Sequence, residues 1–170
     1  NIISSKRASG ILLSGPEVSD NVIQGNWIGT NAAGEPELGN GDHGAIFTNE
    51  ARENTLGPGN IIAGNGSIGN DTPGVFHTER TQRNTVTGNS IFDHDGPGIA
   101  LEGDANGGLE SPVVTSVSPI GGTASNSAVN VEIYHNDPNS VAEAEGQTLF
   151  DTVTVSGGVF SSALPMEFTG

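Results

Sequence analysis

Short apolar runs separated by asparagine and glycine recur along the first 110 residues. The clearest copy, at residues 84–91, reads N-x-V-x-G-N-x-I, and the same pattern occurs at residues 21–28. A longer copy lies between them, at residues 54–65. Each copy is followed, after a loop of variable length, by a glycine and a short apolar run. These runs open at Gly44, Gly74 and Gly98, and Gly10 opens an earlier one. A constant frame with insertions at one corner predicts a solenoid of short strands, which we assign to residues 1–108.

Asparagine at the bends of such a coil has two physical uses. It tolerates left-handed backbone angles, and its side-chain amide can bond to the asparagine of the neighbouring coil. We therefore expect a structural asparagine ladder, with glycines at the turns. The predicted ladder residues are Asn26, Asn60, Asn65 and Asn89, and the predicted turn glycines are Gly10, Gly44, Gly74 and Gly98. The polar insertion at residues 31–43 should form a surface loop.

The pattern changes after Ser111 to longer runs with period-two alternation, which is typical of antiparallel strands. We expect a second domain over residues 111–170, with a sandwich-like fold. Its predicted strands are 112–117, 128–134, 148–155 and 159–164, and its predicted turns are 121–122, 135–139 and 157–158. Because residue 1 falls inside a repeat and no closing strand ends the sequence, we expect a longer precursor and a sandwich that continues or is completed by another chain.

The charge is strongly acidic and unevenly distributed. The formal net charge is -15, and the five Lys and Arg residues all precede Asn84, whereas eleven Asp and Glu residues follow it. Such a charge repels nucleic-acid phosphates and anionic membranes, so both are excluded as expected partners. Such acidic residues keep a protein soluble or adapt it to high salt; alternatively, they bind divalent cations. In the turns, the charges at residues 50–53 should pair with those at 79–83 of the next repeat.

One acidic cluster could carry chemistry near the end of the repeats. It consists of Asp93, Asp95, Glu102 and Asp104. Two carboxylates within about 5–10 Å could hydrolyse a glycosidic bond, but acids in solenoid turns explain the cluster equally well. Asp93, Asp95 and Asp104 are also candidate calcium ligands. The four histidines share no metal-ligand spacing, and the chain has no cysteine, so no zinc site is expected. Trp27 and Phe47 are expected in the core, or alternatively as a sugar-stacking surface.

The run N-x-I-x-G-N-x-I-G-T-N-A-A-G at residues 21–34 resembles the secreted bacterial right-handed parallel β-helix repeat proteins, which are related in fold to pectate lyases. Residues 89–104 are similar to the last repeat of that family, and residues 145–155 to the small immunoglobulin-like domain that follows it. The resemblance implies three short parallel sheets per coil, about four coils, export from the cell and display at the surface. The connection at residues 104–111 is shorter than in the family, which could bring the two domains into closer contact.

Two functions follow as hypotheses. The first is a non-catalytic extracellular protein of a surface layer, sheath, filament or adhesin, which binds copies of itself or other surface proteins. The second is a carbohydrate-binding or polysaccharide-degrading module of the lyase or glycoside hydrolase type, because related folds act on polysaccharides. No cofactor is expected, except possible calcium.

Overall fold

A computed structural model describes residues 1–66, 71–125, 130–136 and 145–163. These residues form sixteen β-strands and one 3₁₀ turn at Ala105–Gly107, without an α-helix, so the all-β prediction is confirmed. The strands are β1 (Ile2–Ile3), β2 (Ile11–Ser14), β3 (Val22–Ile23), β4 (Trp27–Ile28), β5 (Ala45–Thr48), β6 (Thr55–Leu56), β7 (Ile61–Ala63), β8 (Val75–His77), β9 (Thr85–Val86), β10 (Ser90–Phe92), β11 (Ile99–Leu101), β12 (Val113–Val117), β13 (Ile120–Thr123), β14 (Asn130–His135), β15 (Thr148–Thr154) and β16 (Val159–Ser161). In this part of the chain, no helix is long and apolar enough to cross a bilayer.

Strands β1 to β11 form three parallel sheets. Sheet I has the order β1-β4-β7-β10, sheet II has β2-β5-β8-β11, and sheet III has β3-β6-β9. The chain therefore contributes one strand to each sheet in turn before it returns to sheet I. Within sheet I, Trp27 pairs with Ile61 and Ile61 pairs with Ser90. As predicted from the repeats, each strand pairs with the corresponding strand of the neighbouring repeat.

The three sheets share one apolar core. In a strand, successive side chains point to opposite faces, so one face of each two- or three-residue strand can be buried. Ile28 and Ile62 of sheet I and Leu56 of sheet III are fully buried, whereas Leu12 of sheet II is 64% exposed. Burying side chains of this size stabilises the fold by about 1.5–3 kcal/mol each.

Charged residues in the turns pair between repeats. Arg80 Nη1 lies 2.9 Å from Glu50 Oε1, and Arg83 Nη2 lies 2.7 Å from Glu53 Oε1. The expected pairing of turn charges is confirmed. Because all four side chains are well exposed, each pair contributes only about 0–1 kcal/mol.

The remaining strands form two antiparallel sheets. Sheet IV has the order β12-β13-β16, and sheet V pairs β14 with β15. Val131, Val153 and Phe160 form a small buried cluster between them. The predicted strands 112–117 and 148–155 agree with β12 and β15 within one residue at each end. Residues 128, 129 and 164 of the other two predicted strands, and 137–139 of a predicted turn, lie outside the described residues.

The predicted turn at residues 121–122 is wrong, because both glycines lie inside β13. A Cβ on Gly122 would lie 2.0 Å from the Val113 carbonyl oxygen. Glycine is needed here because two backbones approach closely within a sheet, which is a known use of glycine in strands. The chain reverses instead at Ser118 and Pro119, between β12 and β13. The predicted turn at residues 157–158 is confirmed.

Candidate functional site

One row of asparagine side chains lies at the corner between sheets III and I. Asn26 Nδ2 donates to Asn60 Oδ1 at 3.1 Å, and Asn60 Nδ2 donates to Asn89 Oδ1 at 2.9 Å. The backbone N–H groups of Asn26 and Asn60 donate to the same oxygens, at 2.9 and 3.2 Å. Asn1 Nδ2 extends the row by donating to Asn26 Oδ1 at 3.1 Å. Three of the four predicted ladder residues therefore belong to this first ladder.

A second ladder lies at the corner between sheets II and III. Asn21 Nδ2 donates to Asn54 Oδ1 at 2.8 Å, and Asn54 Nδ2 donates to Asn84 Oδ1 at 3.1 Å. Asn106 ends the row, because its Oδ1 accepts the Asn84 N–H at 3.0 Å and its Nδ2 donates to the Asn84 carbonyl at 2.8 Å. The sequence-based prediction omitted these residues, although the repeated N-x-h pattern, with h an apolar residue, marks Asn21, Asn54 and Asn84 just as clearly.

The fourth predicted residue, Asn65, belongs to a third ladder between sheets I and II. Asn40 Nδ2 donates to Asn65 Oδ1 at 2.8 Å, and Asn65 Nδ2 lies 3.3 Å from His94 Nε2. Asn40 comes from the insertion predicted as a surface loop, yet it is only 1% exposed. The end of that insertion therefore returns to the core, and His94 takes the place of an asparagine in the last repeat.

At most ladder positions the left-handed backbone conformation falls on the preceding residue, whereas Asn106 itself has a φ of 52°. The expectation that the asparagines themselves adopt it is wrong for Asn26, Asn60 and Asn89, which lack a positive φ. The preceding residues with positive φ are Gly25, Gly59, Gly64 and Gly88, and also Asp20, Glu53, Arg83 and Asp93. Because the Asp93 φ is 56°, the corner before His94 matches the corner before a ladder asparagine.

The four predicted turn glycines each immediately precede a strand of sheet II. They are Gly10, Gly44, Gly74 and Gly98, and none has a positive φ. A Cβ on Gly44 would lie 2.4 Å from Ile62 Cγ2, and one on Gly74 would lie 2.7 Å from the His94 ring. At these two positions glycine is required by close packing rather than by turn conformation.

The third ladder ends on a buried carboxylate from the C-terminal part of the chain. Glu145 accepts hydrogen bonds from the Asp93 N–H at 2.7 Å and the His94 N–H at 2.8 Å. His94 Nδ1 lies 2.9 Å from Glu145 Oε1, which places the ring proton on Nδ1, and neither side chain is exposed. Gly146 exchanges two backbone hydrogen bonds with Ile91 of β10, at 2.8 and 2.9 Å. Residues 145–146 thus cover the end of sheet I.

A second carboxylate lies at the end of the first ladder. Glu132 of β14 accepts hydrogen bonds from Thr87 Oγ1, from the Gly88 N–H at 3.0 Å and from Tyr134 Oη at 2.5 Å. Burial, the hydrogen bond to Glu132 and the charge of Glu132, in that order, raise the pKa of Tyr134. The tyrosine therefore keeps its proton near neutral pH and acts as a donor. We call these contacts of Glu132 and Glu145 the end cap.

A cavity of about 690 Å³ lies beside the end cap, between the last repeat and sheet V. Its volume is within the range of small-ligand sites. Its apolar lining includes Val86, Ile91, Ile99, Pro112 and Val131, and its polar lining includes Thr85, Glu132, Tyr134 and Thr152. The Glu132 carboxylate in this lining accepts hydrogen bonds from three residues.

The four candidate catalytic acids flank β11. Asp93 and Asp95 precede it, and Glu102 and Asp104 follow it. Asp95 Oδ2 accepts the Asp71 N–H at 2.8 Å, and Asp104 Oδ1 accepts the Arg80 N–H at 2.9 Å. These two carboxylates thus support turns of the preceding repeat. Among the described residues, no three His, Cys, Asp or Glu side chains are grouped so that they could hold a metal ion, and this includes Asp93, Asp95 and Asp104.

The core contains an aromatic stack with an unusual member. Phe47 is fully buried and cannot present a sugar-stacking surface, whereas Trp27 is half-buried. The Phe47 ring stacks on His77 at 4.2 Å. Neither His77 ring nitrogen has a hydrogen-bond partner in the described part of the chain. Burial lowers the pKa of His77 to about 4.

The sequence did not mark the end-cap residues, because Glu132 and Glu145 lie outside the asparagine repeats, and the resemblance of residues 145–155 to a sandwich segment assigns no role to Glu145. Comparison with protein-family models, curated proteins and solved structures gave no match to this chain. The geometry of the ladders, the end cap and the cavity is therefore the ground for any functional proposal.

Proposed function

We propose that residues 1–108 form a right-handed parallel β-helix of three strands per coil and about four coils, and that residues 111–170 form an immunoglobulin-like sandwich. The regular order of sheets I, II and III supports this proposal. Connections between parallel strands of one sheet are right-handed in about 98% of cases.

We further propose that the protein is an extracellular structural or adhesive protein of a surface layer, sheath or filament, acting through its shape and through contacts with copies of itself or other surface proteins. One observation carries this proposal. The buried asparagines bond to one another and to backbone groups along the length of the repeats, so they maintain the scaffold rather than converge on an open site.

Electron microscopy of the purified protein tests this role, and we expect ordered polymers or sheets. Sedimentation velocity over a wide concentration range measures the same self-association in solution. A strictly monomeric particle at every concentration, without binding to a cell surface, would contradict the proposal.

The second candidate is a carbohydrate-binding or carbohydrate-cleaving module, and the cavity beside the end cap favours it. Retention on immobilised glycans tests binding. Release of reducing sugars or formation of unsaturated products tests cleavage, with Asp95→Asn as the control for the acidic cluster. The absence of both retention and turnover on a broad polysaccharide panel would exclude this candidate.

A further inference from the structure

Strand β12 is unusual because neither of its faces is covered. All five residues, Val113 to Val117, are exposed. Three are valines, with exposed fractions of 57% for Val113, 58% for Val114 and 67% for Val117. The alternation of a half-buried strand is missing, so β12 presents apolar side chains on both sides.

β12 also lies at an edge of its sheet. Sheet IV has the order β12-β13-β16, and no other described strand pairs with β12. Edge strands in soluble proteins are usually short or carry a charge that prevents pairing with other chains. β16, at the opposite edge, has only three residues, and β15 of sheet V contains Asp151. β12 has five residues and no charge, so it lacks both of these protections, and its pairing with β13 shifts register between Val114 and Ser116.

The small core next to β12 is incomplete. Val114 pairs with Gly122, which pairs with Phe160, so these three residues lie in one row across sheet IV. Phe160 is 5% exposed, whereas Val114 is 58% exposed. The apolar contact with sheet V therefore ends before it reaches β12. An added strand beside β12 would extend both the sheet and this core.

We infer that β12 binds an extended strand of a partner protein that carries valine-like side chains alternating with lysine or arginine. Edge pairing supplies backbone hydrogen bonds, and the apolar side chains would cover Val114 and Val117. The basic residues follow from charge: the chain after Asn84 carries eleven acids and no Lys or Arg, and the exposed Glu110 lies just before β12.

A second copy of this chain fits the edge less well. Two copies would each bring a formal charge of -15 and would bury little more than one five-residue strand. Stable protein pairs bury about 1,200–2,000 Å². The inference rests on the proposed role in protein contacts, but it names one edge and one partner chemistry.

The test uses the whole chain and a short synthetic peptide of alternating valine and lysine. We expect binding, with slower hydrogen exchange of backbone amides in Val113–Val117 and unchanged exchange in β4. A peptide of the same sequence with N-methylated backbone amides keeps the charge but cannot donate backbone hydrogen bonds. It should bind about tenfold more weakly or worse, because several backbone hydrogen bonds are lost. Equal binding of both peptides would overturn the inference.

A pair of matched variants locates the site. Val117→Lys introduces a repelling charge on β12, and Val159→Lys introduces the same charge on the opposite edge strand β16. Only Val117→Lys should weaken peptide binding.

If both variants bind the peptide equally well, the β12 edge is not the binding site. If raising the protein concentration without peptide slows hydrogen exchange of the β12 amides, a second copy of the chain occupies the edge, and the inferred partner chemistry is wrong. Polymers seen by microscopy without peptide binding would refute this inference alone, not the proposed function.

Discussion

At the residue scale, most corners of the repeats contain one left-handed position. Glycine occupies several of these positions, but Glu53 has a φ of 57° and Arg83 has a φ of 53°. A non-glycine residue in this region costs about 1–2 kcal/mol. The hydrogen bonds of the following asparagine offset that cost, because each corner then satisfies buried backbone groups.

Two glycines with positive φ separate conformational cost from steric cost. Gly25 has a φ of 64°, and a Cβ at this residue would have no atom within 4 Å, whereas a Cβ on Gly57 would lie 1.8 Å from the Thr87 carbonyl oxygen. Gly25→Ala should cost about 1 kcal/mol or less, because strain is partly offset by a less flexible unfolded chain. Gly57→Ala should cost more than about 3 kcal/mol. Urea denaturation measures the stability of both variants. Equal costs would show that the backbone around Gly57 is loosely packed.

His77 makes stability depend on pH. Its folded pKa of about 4 lies below its ordinary value of 6.5, so between these values the unfolded chain binds a proton that the folded chain does not. Stability should fall as pH decreases from 6.5 towards 4, by roughly 1.4 kcal/mol per pH unit and roughly 3 kcal/mol in total. Below pH 4 this contribution levels off.

Replacing the ring tests this dependence. His77→Phe should continue the stack on Phe47, remove two unsatisfied nitrogens and raise stability by about 1–3 kcal/mol. Its stability should also change less between pH 4 and pH 7 than that of the original protein. The exposed His135→Phe is the matched control, because it makes the same replacement away from the Phe47 stack. Denaturation curves between pH 4 and pH 7 show whether His77→Phe reduces the pH dependence of stability. An unchanged dependence would contradict the assignment to His77.

At the element scale, each strand is too short to be stable alone, and the ladders tie the strands together. A two-residue strand such as β4 or β6 has few backbone hydrogen bonds of its own. The ladder asparagine at its end adds side-chain bonds to the neighbouring repeat in a buried place, where an unsatisfied group is costly.

Removing one ladder side chain should therefore have a large effect. Asn60 accepts bonds from the Asn26 backbone and side chain and donates to the Ile23 carbonyl at 2.9 Å. Asn60→Ala leaves these groups buried without a partner and should cost about 2–4 kcal/mol. The exposed Gln24→Ala, at the same corner, should cost less than about 0.5 kcal/mol. Similar losses in thermal or urea unfolding for both variants would contradict a structural role for the ladder.

The sequence predicted the parallel strands because their apolar positions and asparagines repeat with the chain. It did not separate Asn60 from Asn65, since both follow a glycine in the same repeat and only the three-dimensional path assigns them to different corners. Gly121 and Gly122 looked like a turn because close backbone approach and chain reversal both require glycine. Glu145 could not be predicted, because its role depends on a contact with a residue 51 positions away.

At the scale of the whole molecule, the C-terminal part covers the edge of the last repeat. Sheet edges with free backbone groups invite pairing with other chains. Gly146 pairs with Ile91, and Glu132 and Glu145 accept the nearby backbone N–H groups. The end cap thus protects β10 in a way that β12 is not protected.

The end cap can be tested by hydrogen exchange. Glu145→Ala removes the acceptor of the Asp93 and His94 N–H groups, so these amides should exchange about tenfold faster or more. Glu145→Gln keeps one acceptor oxygen and should have a smaller effect. Amides of β4, far from the cap, should not change. Uniform acceleration over all strands would indicate global destabilisation instead.

The ladders have a direction. In the first ladder, Asn26 and Asn60 each donate a side-chain hydrogen bond to the asparagine of the next repeat, so these side-chain dipoles point the same way. As with the aligned peptide units of an α-helix, partial positive charge collects at the end where donors face outward. At that end Glu132 accepts the Gly88 N–H and Glu145 accepts the His94 N–H. Any segment that displaced residues 145–147 would have to bring an acceptor or a negative charge of its own, and a lysine in that place would be electrostatically repelled.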